Sequence, residues 1–280
     1  MPVAHIDSAD EPSLAPYRDL PAHDARWRET CFVAESRHVV RALLEGRRFA
    51  VRSVLLTPAA FGDLAEPLGR HAGVPLYVAP LPVLKRVVGF DFHRGCLALG
   101  ERGAGVSVAD VLATGPRRLV LLEGASNPDN VGGVLRTARA LGADAVLLSP
   151  DCCDPLYRKA VRVSMGAALQ LPWAYAREWE PSLAALRAAG FTLIALTPHD
   201  GSDVAAIGDG LALPGSVALL AGAEGDGLRP ATLAGADLRL RVPMVAGVDS
   251  LNLITACAIA LDRLGWARSG TAVAGGRTRR

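Results

Sequence analysis

From residue 117 onward, short apolar or alternating runs are separated by helix-length stretches, and this pattern restricts the fold more than any other feature of the chain. The runs are 119–122, 145–148, 191–196, 217–220 and 238–242. Their length suits strands and is too short for helices. Between them, helices are expected over 131–141, stopped by Gly142, over 160–169, and over 183–189 with Gly190 at the C-terminal cap. A long apolar helix is expected at 251–266. Strand–helix alternation of this kind makes an α/β fold with a mostly parallel sheet covered on both faces.

The first part of the chain reads as a separate, smaller α/β layer. Residues 1–25 are rich in Pro, Asp and Ala and are expected to form a flexible arm. A helix follows at 36–44, with Val39, Val40, Leu43 and Leu44 on one face and arginines on the other. Then come a strand (51–56), a helix (60–71), a strand (76–79), a helix (81–88) and a strand (95–99), ending in a Gly-containing linker at 101–105. The expected organisation is an arm (1–25), a small domain (26–105), a large domain (115–268) and a flexible tail (269–280). No internal repeat is visible.

Half of the 280 residues are hydrophobic and mean hydropathy is +0.26, so the chain can bury a core and is not a disordered polymer. Net charge is +2, too close to neutral to announce a nucleic-acid binder by itself. A local basic cluster stands out: Arg37, Arg41, Arg47, Arg48 and Arg52, with Lys85, Arg86 and Arg94 further on. From charge alone a solvated helix face with its flanking loops is the favoured reading. Five cysteines, an odd number with an adjacent pair and no C-x-x-C, argue against a disulfide framework or a zinc site and fit a reducing cytoplasm. The N-terminus has no apolar signal segment, and the longest apolar helix is interrupted by Asp262 and Arg263, so no membrane partner is expected.

Two loops look like a site. GAEGDG (222–227) follows one apolar run, and a Gly- and Asp-containing loop follows Pro243 and leads into Ser250, Leu251 and Asn252. Both sit at the carboxyl ends of expected strands, where open α/β sheets bind ligands. The polar residues there are few: Glu224, Asp249, Ser250 and Asn252. A third loop, ASNPDN (125–130), runs into a helix with Asn130 as the expected N-cap and Gly132, Gly133 and Arg136 on its first turns. Two glycines there suggest that something large lies against the helix. Its N-terminus suits a phosphate or carboxylate, and Arg136 and Arg139 add fixed charge. The nucleotide-binding fingerprints G-x-G-x-x-G and G-x-x-x-x-G-K-[ST] are absent, as are the hydrolase motif G-x-S-x-G and any metal-ligand spacing. His199 reads as a loop residue, and Ser164 lies in an expected helix.

Taken together, NPDNVGGVLRTARALGADAVLL, LLAGAEGDGL and VPMVAGVDSLNLITACAIAL resemble, in order and spacing, the three motifs of the SpoU-type (TrmH-like) RNA ribose 2′-O-methyltransferases of the SPOUT superfamily. The intervening KAVRVSMGAALQLPW resembles the arginine–serine–glycine segment between the first two motifs. The likeness spans about 117–266. The stretch from FVAESRHVVRALL to HRGCLALGER is similar to the L30e-like substrate-binding domain often fused ahead of it.

The resemblance implies a C-terminal trefoil knot, a homodimer with the active site at the subunit interface, and S-adenosylmethionine as cofactor without a metal. It places the cofactor against Thr197, Gly222, Ala223, Gly227, Val242, Met244, Ser250 and Leu251. Asn130, Arg136, Glu224, Ser250 and Asn252 match the family's polar active-site residues, and Arg37, Arg41, Arg47, Arg48 and Arg162 become candidate contacts to RNA. The implied reaction is attack of a ribose 2′-hydroxyl on a sulfonium methyl, in ribosomal or transfer RNA. A guanidinium holds its proton at physiological pH, so Arg136 is expected to stabilise developing alkoxide charge and hold a phosphate. A non-catalytic RNA-binding module with a degenerate site is the alternative, and the intact polar set favours the enzyme. A Rossmann-type enzyme is disfavoured by the missing phosphate fingerprint.

Overall fold

The continuous apolar runs become strands buried on both faces. In the computed structural model, which describes residues 3–18, 29–89, 92–198, 200–207 and 215–265, positions 119–123, 145–148 and 217–221 are all buried. Two units divide the chain: Met1–Gly105 with Val131–Arg136 and Cys153–Leu171, and Val106–Asn130 with Thr137–Cys152 and Pro172–Arg280.

In chain order the first unit begins with β1 (Val3–His5), β2 (Cys31–Glu35), α1 (Arg37–Glu45), β3 (Val51–Leu56), α2 (Pro58–Gly69), β4 (Leu76–Val78), α3 (Leu81–Val88) and β5 (Cys96–Glu101). The strands form one sheet in the order β1-β4-β3-β5-β2, with β5 antiparallel to both of its neighbours. Residues 3–18 depart from the expected flexible arm. β1 pairs in parallel with β4, and a 3-10 turn at Pro12–Tyr17 buries Leu14 and Tyr17. The Tyr17 hydroxyl lies 2.7 Å from Ser53 Oγ. The Pro- and Asp-rich composition masked three apolar anchors, Ile6, Leu14 and Tyr17, which dock in the core. The rest of the expected arm up to residue 25, His199, Trp266 and the 269–280 tail lie outside the described residues.

The chain continues through α4 (Val108–Ala113), β6 (Arg118–Glu123), α5 (Pro128–Ala140), β7 (Ala145–Leu148), α6 (Arg158–Val163), α7 (Ala167–Gln170), β8 (Trp173–Tyr175), α8 (Trp179–Ala188), β9 (Thr192–Leu196), β10 (Ser202–Asp203), β11 (Val217–Gly222), α9 (Pro230–Ala234), β12 (Leu238–Arg241) and α10 (Leu253–Arg263). Seven of these strands form a parallel sheet, β10-β12-β9-β11-β6-β7-β8. Leu121, Leu147, Leu193 and Leu220 from its central strands pack with Trp179 and Leu186 of α8.

The single helix expected over 160–169 is two short ones. The Ser164 hydroxyl donates to Val161 O (2.8 Å) and accepts from Ala168 N (3.2 Å), and Met165 and Gly166 turn through positive φ (52° and 83°). Gly166 is required there. A Cβ on it would stand 2.7 Å from Ala42 Cβ of α1.

Candidate active site

Three loops leave the carboxyl ends of β9, β11 and β12 and enclose a cleft of about 280 Å³. The segment after β9 contributes Thr197, and the loop after β11 contributes Gly222, Ala223, Glu224 and Gly227. The segment after β12 contributes Val242, Met244, Asp249, Ser250 and Leu251, and α10 closes the floor with Leu253 and Ala256. All eight residues assigned to a cofactor from the motifs therefore line one cavity.

The β11 loop is tight because its glycines permit it. A Cβ on Gly222 would stand 2.1 Å from the carbonyl carbon of Gly227, so the loop's two ends touch through backbone. Gly227 N donates to Ala223 O (3.0 Å), and Gly225 and Gly227 adopt positive φ. This holds Glu224 outward at the loop tip.

Asn252 is the hub of the polar set. It caps α10, its Oδ1 accepting from Ile254 N at 2.9 Å. That bond fixes the amide's orientation and leaves Nδ2 to donate to Glu224 Oε1 (2.5 Å) and Asn130 Oδ1 (3.2 Å). Three segments far apart in the chain thus meet at one amide. Asn130 is buried on the first turn of α5 and is not the cap. Asn127 caps instead, accepting from Asp129 N, because Pro128 fixes the first helical φ and holds the preceding residue extended. Ser250 lies exposed on the cleft wall.

Arg136 is exposed on α5, six residues beyond Asn130, in the segment grouped with the first unit. Of the two glycines before it, Gly132 does have something large against it, and it is protein. A Cβ there would lie 2.6 Å from Ala160 O of α6.

The basic cluster is partly occupied within the fold. Arg37 pairs with Asp63 (3.1 Å), and Arg41 donates to Asp63 O (2.6 Å) and pairs with Glu45. Arg48 donates to Leu171 O (2.6 Å) and lies over the Phe49 ring, and burial pulls its guanidinium down to about 10. Arg47 is exposed and Arg162 half-buried.

The electrostatics of the cleft are one-sided. Glu224 and Asp249 are its charged lining residues among those described, and none of those is basic. The nearby thiol, Cys257 of α10, is fully buried, and burial pushes it up to about 12, so it is no nucleophile at neutral pH. Apolar walls, glycine backbone and two carboxylates suit a partly flat, positively charged ligand, and the Asn–Glu–Asn set can orient a reacting group.

Sequence reasoning passed over Glu123, Thr232 and Arg229 beside this cleft. Glu123 is 1% exposed at the end of β6 and accepts from the other two. The available signal was an acid closing an otherwise apolar strand. Asp151 extends the cluster. Burial opposes ionisation of its carboxyl, yet the Ser149 hydroxyl and Arg229 hold it below the usual range.

Comparison with known proteins points to one family. The model of the SpoU rRNA Methylase family matches residues 117–262. An uncharacterized tRNA/rRNA methyltransferase of Mycobacterium bovis is 40% identical over 270 residues, covering 92% of this chain and 90% of that protein. A 23S rRNA (guanosine-2′-O-)-methyltransferase of Ralstonia nicotianae is 30% identical over 193 residues, 68% of this chain and 76% of that protein. The crystal structure of an AdoMet-bound rRNA methyltransferase from Sinorhizobium meliloti superposes with a TM-score of 0.76 at 25% identity, covering 93% of this chain and 97% of that one.

Proposed function

The chain belongs to the SpoU rRNA Methylase family, and from that membership we propose that it transfers a methyl group from S-adenosylmethionine to a ribose 2′-hydroxyl of structured RNA. Ribosomal RNA is the favoured substrate class, because the Ralstonia relative bears that specificity in its name. The observation that carries the reading is the meeting of Asn130, Glu224 and Asn252 beside a glycine-walled cleft whose charged groups are carboxylates.

The residues present fit the cofactor. Leu196, Val242, Met244 and Leu251 offer apolar surface for an adenine and ribose, and the backbone of 222–227 offers hydrogen-bonding groups at close approach. Glu224 and Asp249 oppose a sulfonium and an ammonium charge. When bound, S-adenosylmethionine supplies an already activated methyl group. The chain's own task is to place the hydroxyl and to ease loss of its proton. Asn252 keeps Glu224 and Asn130 in fixed relation, and Ser250 presents a hydroxyl on the same wall. Arg136 holds a neighbouring phosphate and stabilises negative charge as it develops on the attacking oxygen. Much of the acceleration comes from such positioning.

The reading also includes a homodimer, a C-terminal trefoil knot, and RNA contacts from 26–105, Arg47 and Arg162 foremost. The test is to delete the gene and map 2′-O-methyl marks across total RNA, then restore the lost mark with purified protein and radiolabelled cofactor. A complete set of marks in the deletion strain, or label recovered on a base, would overturn the reading.

A further inference from the structure

The β11 loop that walls the cleft is held at both ends by one buried residue, Glu123, through its main chain at the entry and its carboxylate at the exit. At its entry, Gly222 stands in register with Glu123, the last residue of β6. At its exit, Arg229 N donates to Glu123 Oε2 at 2.9 Å. The other oxygen, Oε1, accepts from Thr232 Oγ1 (2.8 Å), which in turn accepts from Trp179 Nε1 (3.1 Å). The Arg229 guanidinium lies 3.5 Å from Oε1 and reaches outward to Asp151 Oδ2 at 2.5 Å. Each of these partners lies in the second unit.

A carboxylate at this depth is costly unless its hydrogen bonds are made. An apolar residue would serve packing better, so packing does not account for it. Both oxygens are spent on the segment that follows the loop. The residues between the two fixed ends include Ala223, Glu224, Gly225 and Gly227 of the cleft wall, and Glu224 must meet Asn252.

We propose that Glu123 is a positioning residue for the methyl donor: by gripping the Arg229 N–H it sets the span of the 222–228 loop and hence the affinity of the cleft. This rests on the S-adenosylmethionine reading above. The Arg229 N–H contributes as a main-chain group, and its side chain is an accessory.

Position 229 allows that distinction to be tested. Its φ of −62° and ψ of 148° lie in proline's own range, so Arg229→Pro deletes the N–H at backbone angles that proline adopts, while Arg229→Ala deletes only the side chain. Glu123→Asp keeps the charge but is one methylene too short to reach both donors. Glu123→Gln keeps one acceptor oxygen for the N–H. The full-length proteins are titrated calorimetrically with S-adenosylmethionine, and their affinity for total ribosomal RNA is measured by filter binding.

Arg229→Pro should bind the cofactor about tenfold or more weakly than Arg229→Ala, the scale expected for an unmade buried hydrogen bond. Glu123→Asp should be weakened similarly and Glu123→Gln less. Affinity for ribosomal RNA should be the same throughout. Equal cofactor affinity of Arg229→Pro and Arg229→Ala would overturn the proposal, as would a parallel fall in RNA affinity, which marks general damage. If Arg229→Pro does not fold, the glutamate pair decides: Asp binding as well as Gln overturns the proposal. A wild-type protein that binds RNA but no cofactor would instead remove the functional reading beneath it.

Discussion

At the scale of single residues, Asn252 is the position where chemistry leaves least freedom. Its carbonyl oxygen is committed to the α10 cap and its amino group to two acceptors, Glu224 and Asn130. Aspartate would keep the cap but set oxygen against oxygen at both other contacts. Asn252→Asp should therefore lose methyl transfer more completely than Asn252→Ala, and should recover in part as pH falls and a carboxyl takes up a proton. Initial rates between about pH 5 and 8 check this, and a flat profile would detach the repulsion from the loss. Arg136→Ala belongs to the same scale. It should retain cofactor binding by calorimetry while its turnover falls on the order of a hundredfold or more, the cost of removing one key electrostatic group. Equal turnover at saturating RNA would remove Arg136 from the mechanism. The residues around Asn252 were legible because polar groups are rare in an apolar stretch. Glu123 was not, since one acid closing an apolar strand is a weak signal, and its partners lie 106 and 109 positions away.

At the scale of elements, periodicity located most strands and helices, and failed where tertiary contact decides. The break between α6 and α7 sets Gly166 against Ala42 of α1, a contact that no local window contains. β1 and β8 are three residues each and give little period to read. β2 was hidden beside the helix it precedes. Contact also explains the glycine in α5. Gly132→Ala should destabilise the protein by roughly 1–3 kcal/mol, because the added methyl must displace the Ala160 carbonyl of a neighbouring helix rather than a flexible side chain. A lower midpoint in thermal unfolding checks this. An unchanged or higher midpoint, as the better helix propensity of alanine alone would give, would show that α6 yields easily.

For the whole molecule, α10 and the loop before it leave apolar surface open. Leu253, Cys257, Ala260 and Leu261 are buried within the chain, but Ile254, Ala258 and Ile259 are only half-buried, and Val245 is 77% exposed. A second copy of the chain is the cover proposed for them. Sedimentation at micromolar concentration should give a dimer for the wild type, and Ala258→Arg should give a monomer with little activity. A fully active monomer would sink the dimer. The arginines carry a separate expectation. With Arg37, Arg41 and Arg48 held by internal partners, exposed Arg47 is the better candidate for a phosphate contact. Arg47→Glu should flatten the salt dependence of RNA binding by about 0.7 in log–log slope or more, and an unaltered slope would make it an ordinary surface charge.

The cleft's lining runs from Leu196 to Ala256, and Asn130 must wait for a partner 122 residues later. On a translating ribosome, adding residues at about 5–20 per second, that wait is roughly 6–24 s. Throughout it the strands of the first sheet have been synthesised but there is no place for a methyl donor. Cofactor in the cell therefore cannot chaperone the early stages of synthesis, and a nonsense codon anywhere before position 252 leaves a product without its hub, however well the preceding part has folded.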